Sequence, residues 1–148
     1  MIHSGLVWAL ASALMITAGA SAQAGPVSVS GLRCEYRTDP IGIDDERPRL
    51  SWVLHSARRG ERQTAYQVLV ASSERSLRAG AGDLWDSGKV SSSDSIQVEY
   101  RGKPLGSHQR CWWKVRSWGT DGAASAWSAP ARWSMGILLS ADWKAAWI

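Results

Sequence analysis

Asparagine and phenylalanine are absent from this 148-residue sequence, which also has only two cysteines and three histidines. An N-glycosylation acceptor begins with asparagine, so the chain contains no such site. No Cys-x-x-Cys or His-Glu-x-x-His spacing occurs either, which excludes the common zinc-binding and metalloprotease motifs. We therefore expect no metal ion and no cofactor to be bound by this chain.

Motifs typical of catalytic sites are also missing. There is no Gly-x-Ser-x-Gly nucleophile elbow, and Gly80–Asp83 lacks the Gly-Lys-Ser/Thr that completes a phosphate-binding loop. The densest acidic run, Asp44, Asp45 and Glu46, lies in a turn before a predicted strand. Glycoside hydrolysis needs two carboxylates about 5 to 9.5 Å apart across a cleft, which consecutive turn residues do not provide. The residues themselves therefore predict no catalytic group.

The positive charge is scattered rather than concentrated. The formal net charge is +4 and the isoelectric point is near 9.4, mostly from dispersed arginines. The one basic block, Ala57–Arg62, has the composition of a solvated hairpin turn. Nucleic-acid-binding proteins carry their basic residues as a patch or stripe, so no nucleic-acid partner is expected.

The first 22 residues have the features of a signal peptide. Gly5–Ala20 is a run of apolar and small residues, and Ala20-Ser21-Ala22 matches an A-x-A cleavage site. The run is short for a membrane span, which needs about 20 strongly apolar residues. We predict that residues 1–22 direct export to the periplasm or the medium, with no membrane attachment after cleavage.

Residues 23–136 have the pattern of a single all-β domain. Seven short segments with strand patterning are separated by turns rich in Gly, Pro, Ser and Asp, and helix-period segments long enough for a βαβ unit are absent. This pattern predicts a seven-stranded antiparallel β-sandwich of the fibronectin type III or immunoglobulin kind. Residues 137–148 are expected to be a linker and the start of a following β domain. The predicted strands are Val27–Arg37, Arg49–His55, Gln63–Ser72, Asp83–Val90, Asp94–Tyr100, Gln109–Trp118 and Ala129–Met135.

The period-2 alternation also predicts which side chains face the core. In the first strand, Cys34 and Tyr36 are expected on the buried face. In the fifth strand, Ile96 is expected to continue the apolar face of Val98 and Tyr100. One helical turn is the most that the stretch around Glu74 indicates.

The segment Gln109–Trp118, with the sequence QRCWWKVRSW, is unusually rich in tryptophan. Alternation places Trp113 in the core, and it places Trp112 and Trp118 on the opposite, partly exposed face. Lys114 and Arg116 lie on that same outer face, which marks it as the solvent side. A further ring, Trp127, is expected to reach the edge of the same sheet from the segment Ser125–Pro130.

Two interpretations of the outer tryptophans follow. In the first, Lys114 and Arg116 alternate with Trp118 and Trp127 in a structural cation–π ladder, each exposed contact stabilising by about 0.5–1 kcal/mol. In the second, Trp112, Trp118 and Trp127 form a surface on which sugars stack. We favour the ladder, because basic side chains between the rings would occupy the faces that a sugar needs.

Cys34 and Cys111 allow two interpretations as well. An exported protein with an even number of cysteines can form a disulfide, which in the chain-entropy model would stabilise this fold by roughly 4 kcal/mol. Alternatively, both residues are buried thiols that pack as small hydrophobes.

Seven blocks of the sequence, taken in order, resemble one family. They are LRCEYRTDPIGID, RPRLSW, QTAYQVLVASS, LWDSGKV, YRGKPL, CWWKVRSWGTDGAASAWS and DWKAAWI. Together they are similar to the N-terminal region of bacterial α-L-rhamnosidases of glycoside hydrolase family 78, over Val27–Ile148. The resemblance implies a fibronectin type III-like sandwich that precedes further β domains and a helical barrel. In that family the barrel holds the catalytic acids, so no catalytic residue is carried over to this chain.

The resemblance implies a non-catalytic N-terminal module of an exported enzyme that hydrolyses terminal α-L-rhamnose. Its expected partners are the remaining domains of that enzyme, with rhamnosylated glycans as a further candidate. The alternative is a free-standing carbohydrate-binding or adhesion module that uses the exposed tryptophans, and an enzyme in its own right is less favoured. One departure concerns Cys111, because related domains tend to have a tyrosine there whose hydroxyl makes the tyrosine-corner hydrogen bond.

Overall fold

The computed structural model describes residues 27–145. The predicted signal peptide and residues 146–148 lie outside this range. Seven strands and one short helix, α1 (Glu74–Arg78), form in the described range, and a 3-10 turn follows at Ser140–Asp142. The strands are β1 (Val27–Cys34), β2 (Arg49–Ser56), β3 (Ala65–Ala71), β4 (Trp85–Asp86), β5 (Val98–Glu99), β6 (Arg110–Trp118) and β7 (Ala131–Ser134).

The strands form two sheets, one with the order β1-β2-β5 and the other with the order β4-β3-β6-β7. All strand pairs within them are antiparallel. Connections that alternate between two sheets in this way give an immunoglobulin-like sandwich. The predicted fold class, a seven-stranded antiparallel β-sandwich, is therefore confirmed.

Large aromatic side chains fill the space between the two sheets. Trp113 of β6 is fully buried, and its ring centroid lies 6.4 Å from that of Trp133 on β7. Tyr100 approaches Trp133 at 6.0 Å and Trp85 at 5.4 Å, each in an edge-to-face arrangement. Because aromatic rings bury more area than other side chains, this chain of contacts supplies much of the core without any phenylalanine.

A buried glutamine joins the two sheets. Gln63 accepts hydrogen bonds through Oε1 from Nε1 of Trp52 on β2, at 3.0 Å, and from Oγ of Ser117 on β6, at 2.7 Å. Its Nε2 donates to the carbonyl oxygen of Asp94, at 2.6 Å. A buried amide is tolerated only when its donors and acceptors are satisfied, and here they are. The core therefore contains a hydrogen-bonded polar link between the sheets at Gln63. The sequence pattern indicated this residue only as the start of the predicted third strand.

Both faces of β3 are buried, whereas a half-buried strand has only one buried face. Helix α1 covers the outer face, where Leu77 packs on Leu69 and Ala71. The helix begins at Ser73, whose Oγ accepts a hydrogen bond from the backbone N–H of Ser76 at 3.1 Å, an N-cap that satisfies one free donor of the first turn. This five-residue helix matches the single helical turn that the sequence indicated.

The prediction that Tyr36 continues the buried face of β1 is wrong. The strand ends at Cys34, and Glu35 and Tyr36 have positive φ angles of 46° and 62°, which turn the chain. Tyr36 is consequently 53% exposed. An earlier irregularity at Gly31, where φ is +62°, shifts the pairing register, so the alternation is not continuous along the strand.

The predicted position of Ile96 is also wrong, since it is 66% exposed. Strand β5 contains only two residues, and Gln97 before it has a φ angle of 58° that breaks the alternation. Val98 and Tyr100 are buried as expected. A strand this short at a sheet edge does not extend the apolar face to residue 96.

Tyr100 supplies a hydrogen bond to the β5–β6 connection that the cysteine at position 111 cannot make. Its hydroxyl donates to the carbonyl oxygen of Lys103 at 2.8 Å and lies 3.3 Å from that of Leu84. Burial raises the pKa of Tyr100 to about 12, so the hydroxyl keeps its proton. The β5–β6 connection is thus fastened by a tyrosine that directly follows β5.

Candidate functional site: the outer face of the four-stranded sheet

Strand β6 places five large polar or aromatic side chains on the outer face of its sheet. Its burial alternates along the strand, with Cys111, Trp113 and Val115 fully buried on the inner side. This follows from the two-residue period of a strand. The outer side chains are those of Arg110, Trp112, Lys114, Arg116 and Trp118.

The outer face carries a cation–π ladder centred on Arg116. The guanidinium carbon of Arg116 lies 4.7 Å from the ring centroid of Trp127 and 5.0 Å from that of Trp118. Nζ of Lys114 lies 5.0 Å from the ring of Trp127. Each distance is within the roughly 6 Å range of an energetically useful cation–π contact. These contacts join all four residues that the sequence analysis assigned to the ladder.

Lys89 is a fifth member of the ladder that sequence analysis missed. Its Nζ lies 4.8 Å from the ring centroid of Trp118. Lys89 is in the loop after β4, outside any strand, so alternation cannot assign it to a face. The predicted fourth strand, Asp83–Val90, included Lys89, but the observed strand ends at Asp86, so its alternation gave no guide to the position of this side chain.

Hydrogen bonds fix the two basic side chains in place. Nε and Nη2 of Arg116 both donate to Oε1 of Gln67 on β3, at 3.0 and 2.8 Å. Nζ of Lys114 donates to the carbonyl oxygen of Leu77 in α1, at 2.8 Å. Partial burial, together with the neighbouring charge of Arg116, lowers the pKa of Lys114. The ladder therefore ties β3, β6 and helix α1 together.

Two serines hold Trp127 at the edge of β6. The Oγ of Ser125 accepts a hydrogen bond from the N–H of Ser117 at 3.0 Å, and the Oγ of Ser128 accepts one from the N–H of Val115 at 3.1 Å. The backbone N–H groups of the same serines donate to the carbonyl oxygens of the same partners, at 2.7 and 2.8 Å. Segment 125–128, which precedes β7 in the chain, thus pairs with β6 as an edge strand would. Trp127 lies between the two serines and faces the ladder.

The expectation that Trp118 is partly exposed is wrong. The residue is 9% exposed, because Arg116 and Lys89 cover its ring and its own backbone pairs with Ala65 on one side and Ala124 on the other. Trp127 is partly exposed but has two cations against its ring. No basic side chain of residues 27–145 stacks on Trp112, which, like Trp127, packs beside the cluster around Leu77. The three rings proposed as a sugar-stacking surface therefore do not form one open platform.

Cys34 and Cys111 are buried free thiols in this structure. Burial, with smaller contributions from neighbouring groups such as Glu35 beside Cys34, raises the pKa of each to about 12. At neutral pH both side chains are protonated and pack in the main core. The arrangement corresponds to the second interpretation of the two cysteines, and their pairing under oxidising conditions stays a prediction.

Residues 29–139 match the family model described as "Rha78A-like, N-terminal immunoglobulin domain". The chain belongs to this family. Among curated relatives, an α-L-rhamnosidase of Streptomyces avermitilis is 51% identical over 114 residues, which are 77% of this chain and 11% of that protein. An α-L-rhamnosidase of Formosa agariphila is 44% identical over 110 residues, covering 74% of this chain and 12% of that protein.

Two solved structures are also similar to this Rha78A-like chain. The crystal structure of the Streptomyces avermitilis α-L-rhamnosidase complexed with L-rhamnose superposes with a TM-score of 0.76 at 48% identity, covering 80% of this chain and 11% of that one. The α-L-rhamnosidase of Dictyoglumus thermophilum gives a TM-score of 0.78 at 39% identity, covering 80% and 13%. The chain thus spans about a tenth of the length of the proteins it matches.

Between residues 27 and 145 there is no group of three or more His, Cys, Asp or Glu side chains arranged to hold a metal ion. Asp44, Asp45 and Glu46 are exposed and follow one another along a loop. Over the same residues, no helix has both the length and the apolar character to cross a membrane.

Proposed function

We propose that this chain is the non-catalytic N-terminal module of an α-L-rhamnosidase and helps to build the larger enzyme. The observation that carries the proposal is the 51% identity between this chain and about a tenth of the Streptomyces avermitilis α-L-rhamnosidase, in a family defined as an N-terminal immunoglobulin domain. Its partners are then the remaining domains of an enzyme that hydrolyses terminal α-L-rhamnose.

The positions of the carboxylates favour a structural role for the domain over a catalytic one. Its carboxylates are engaged in turns and ion pairs, such as Glu35 with Arg49 at 2.7 Å, or are spread along an open loop. The ladder covers the part of the outer face around Trp118 and Trp127, and its contacts stabilise the fold. Inverting or retaining hydrolysis requires two facing carboxyl groups, and the consecutive residues Asp44, Asp45 and Glu46 are not expected to face one another.

The end of the sandwich near Gly136 has the features of a contact surface for further domains. The N–H of Gly136 donates to the carbonyl oxygen of Ile43 at 2.7 Å, and the N–H of Leu138 donates to Oγ of Ser107 at 2.8 Å. These bonds fasten the segment after β7 to the body of the domain. Beside it, Leu139 and Trp143 are each more than half exposed. Exposed apolar groups at the end of a well-anchored segment favour contact with a neighbouring domain.

Export is part of the same proposal. The apolar run Gly5–Ala20 and the Ala20-Ser21-Ala22 site support a cleaved signal peptide, and the periplasm or the medium as the location. The intact mass of the protein recovered outside the cytoplasm tests this. A chain that starts near Gln23 supports export, and a full-length chain retained in the cytoplasm contradicts it.

The non-catalytic role is tested by incubating the purified chain with an aryl α-L-rhamnoside. The expected result is no release of the aryl group above the buffer rate, while the Streptomyces avermitilis enzyme at equal molar concentration gives rapid release. Sustained turnover by the chain alone would overturn the proposal.

A carbohydrate-binding or adhesion role is the second candidate. The observation that favours it is Trp112, whose ring is partly exposed and lies outside the ladder. Trp118 is buried and Trp127 is covered by cations, so these two rings do not support it.

A further inference from the structure

Trp112 differs from the other outer rings because no basic side chain of the described residues stacks on it. It packs beside the cluster of Leu69, Ala71 and Leu77, and it also lines a cavity of about 290 Å³ at the outer edge of β6 and β7. A cavity of this size is near the lower limit for a small-molecule site. Trp112 is therefore the ring of this face that remains available to a ligand.

Two arginines lie next to Trp112 in the wall of this cavity. Arg132 on β7 is directly opposite Trp112 in the strand pairing, where Cβ atoms are about 5 Å apart. Arg110 is two residues before Trp112 on β6 and points to the same face. The sheet register thus brings two guanidinium groups to the rim of one indole ring.

The charge of the cavity is positive. Neither Arg110 nor Arg132 forms an ion pair with a carboxylate of residues 27–145. One carboxylate, Asp39, also lines the wall, and its Oδ1 accepts a hydrogen bond from the backbone N–H of Arg132 at 2.9 Å. Two guanidinium groups against one carboxylate leave one positive charge uncompensated. Pro40 and Ile41, the latter 87% exposed, complete the apolar part of the wall.

We propose that this cavity binds an acidic saccharide, meaning a pyranose ring that carries a carboxylate. The apolar face of the ring lies on Trp112, and the carboxylate is held by Arg110 and Arg132. Guanidinium groups match the planar geometry of a carboxylate and form strong charge-assisted hydrogen bonds with it. The second oxygen of Asp39 is positioned to accept a sugar hydroxyl. This binding activity goes beyond the supporting role and does not depend on it.

The charge distinguishes an acidic saccharide from a neutral one. A neutral sugar can stack on Trp112, but it leaves both arginines to water and gains nothing from the positive wall. An anionic ligand exchanges one set of water contacts for charge-assisted bonds to two guanidinium groups. Its binding should accordingly weaken with rising salt concentration, because the cavity is open to solvent.

The test is a titration of the isotope-labelled chain followed by NMR at the indole Nε1–H of Trp112. The probes are methyl β-D-glucuronide and methyl α-D-galacturonide, with methyl β-D-glucoside as the neutral control. We expect a saturable shift with at least one uronide, a dissociation constant in the millimolar range, and binding of the glucoside at least about tenfold weaker. The absence of a saturable shift with both uronides, or equal affinity for the glucoside, would overturn the proposal.

Two variants and one matched control complete the test. Arg132→Gln should weaken uronide binding by about tenfold or more and leave the fold intact, because this exposed side chain makes no ion pair. Arg33→Gln removes the same charge from an exposed position on β1 in the other sheet and should leave binding unchanged. Trp112→Leu removes the indole ring but keeps an apolar group over Leu77. In this variant the NMR signals of the uronide's own protons should no longer shift on binding. If Arg132→Gln binds as the unchanged chain does, the assignment is wrong. The titration involves no hydrolysis, so its failure leaves the proposed function untouched.

Discussion

Arg116 is the residue on which the outer face of this domain depends. It lies between the rings of Trp118 and Trp127 and bonds twice to Gln67 on the neighbouring strand. The alternation of β6 predicted that Arg116 and Trp118 share a face. It could not predict that Trp118 is buried, because the coverage comes from Lys89, which lies far away in sequence and outside any strand.

Replacement of Arg116 by alanine should destabilise the fold by about 1 kcal/mol or more. The change removes two cation–π contacts, the packing of the aliphatic stem, and both donors to Gln67. Urea unfolding followed by tryptophan fluorescence measures the loss. Arg33→Ala, at an exposed position outside the ladder, is the control and should have little effect. An unchanged urea midpoint in Arg116→Ala would contradict the ladder as a stabilising feature.

The cysteines should be unreactive in the folded chain. Burial holds the pKa of Cys34 and Cys111 at about 12, so neither forms the nucleophilic thiolate at pH 8. Iodoacetamide should label neither residue in the native protein and both after denaturation. Intact mass with and without reductant distinguishes the alternatives, since a disulfide lowers the mass by about two daltons. Rapid labelling of the native chain would contradict the buried-thiol arrangement.

At the scale of elements, the alternation of apolar residues located all seven strands but not their ends. β1 stops at Cys34 because the next residues adopt positive φ angles, and β5 shrinks to two residues for a similar reason at Gln97. Such turns use non-glycine residues, so composition gives no warning of them. The sequence correctly predicted that segment 125–128 lies at the edge of the sheet. It did not indicate that the two serines of this segment bond to the backbone of β6.

The edge segment depends on Ser128. Its Oγ accepts a hydrogen bond from the buried N–H of Val115, at 3.1 Å. Ser128→Ala leaves that donor without its side-chain partner and should destabilise the fold by about 1–3 kcal/mol. Thermal unfolding measures this, with Ser91→Ala in an exposed loop as the control. Equal melting midpoints for the two variants would show that the serine bonds contribute nothing.

The interaction between Glu35, which follows β1, and Arg49 on β2 should stabilise the fold less in acid. Hydrogen bonds from Arg49 lower the folded-state pKa of Glu35, so its contribution to stability is present above the unfolded pKa of about 4.3. That contribution is lost as the pH falls through the lowered folded pKa. Glu35→Gln should therefore melt earlier than the unchanged chain at pH 7, and the difference should shrink in acid. Glu46→Gln, in an exposed loop, is the control and should leave the melting midpoint at pH 7 unchanged.

At the scale of the whole molecule, the domain is a small part of the proteins it resembles. The chain covers 11–12% of the curated relatives named above, and its matched residues reach from 29 to 139. Seven sequence blocks were enough to indicate this family, because the turn and strand motifs recur in order. The ligand-binding cavity was not predictable, since it joins Asp39, Arg110 and Arg132 from three separate segments. The register of β6 and β7 brings the two arginines together, and the hydrogen bond from the N–H of Arg132 holds Asp39 beside them.

The role as an N-terminal module is tested most directly by a chimera. Residues 27–145 would replace the matching segment of the Streptomyces avermitilis α-L-rhamnosidase, with deletion of that segment as the comparison. We predict that the chimera hydrolyses an aryl α-L-rhamnoside at a rate close to the parent and melts within about 5 °C of it, since modest interface differences shift large proteins by only a few degrees. The deletion variant should melt lower or fail to fold. A chimera as unstable as the deletion variant would contradict the account.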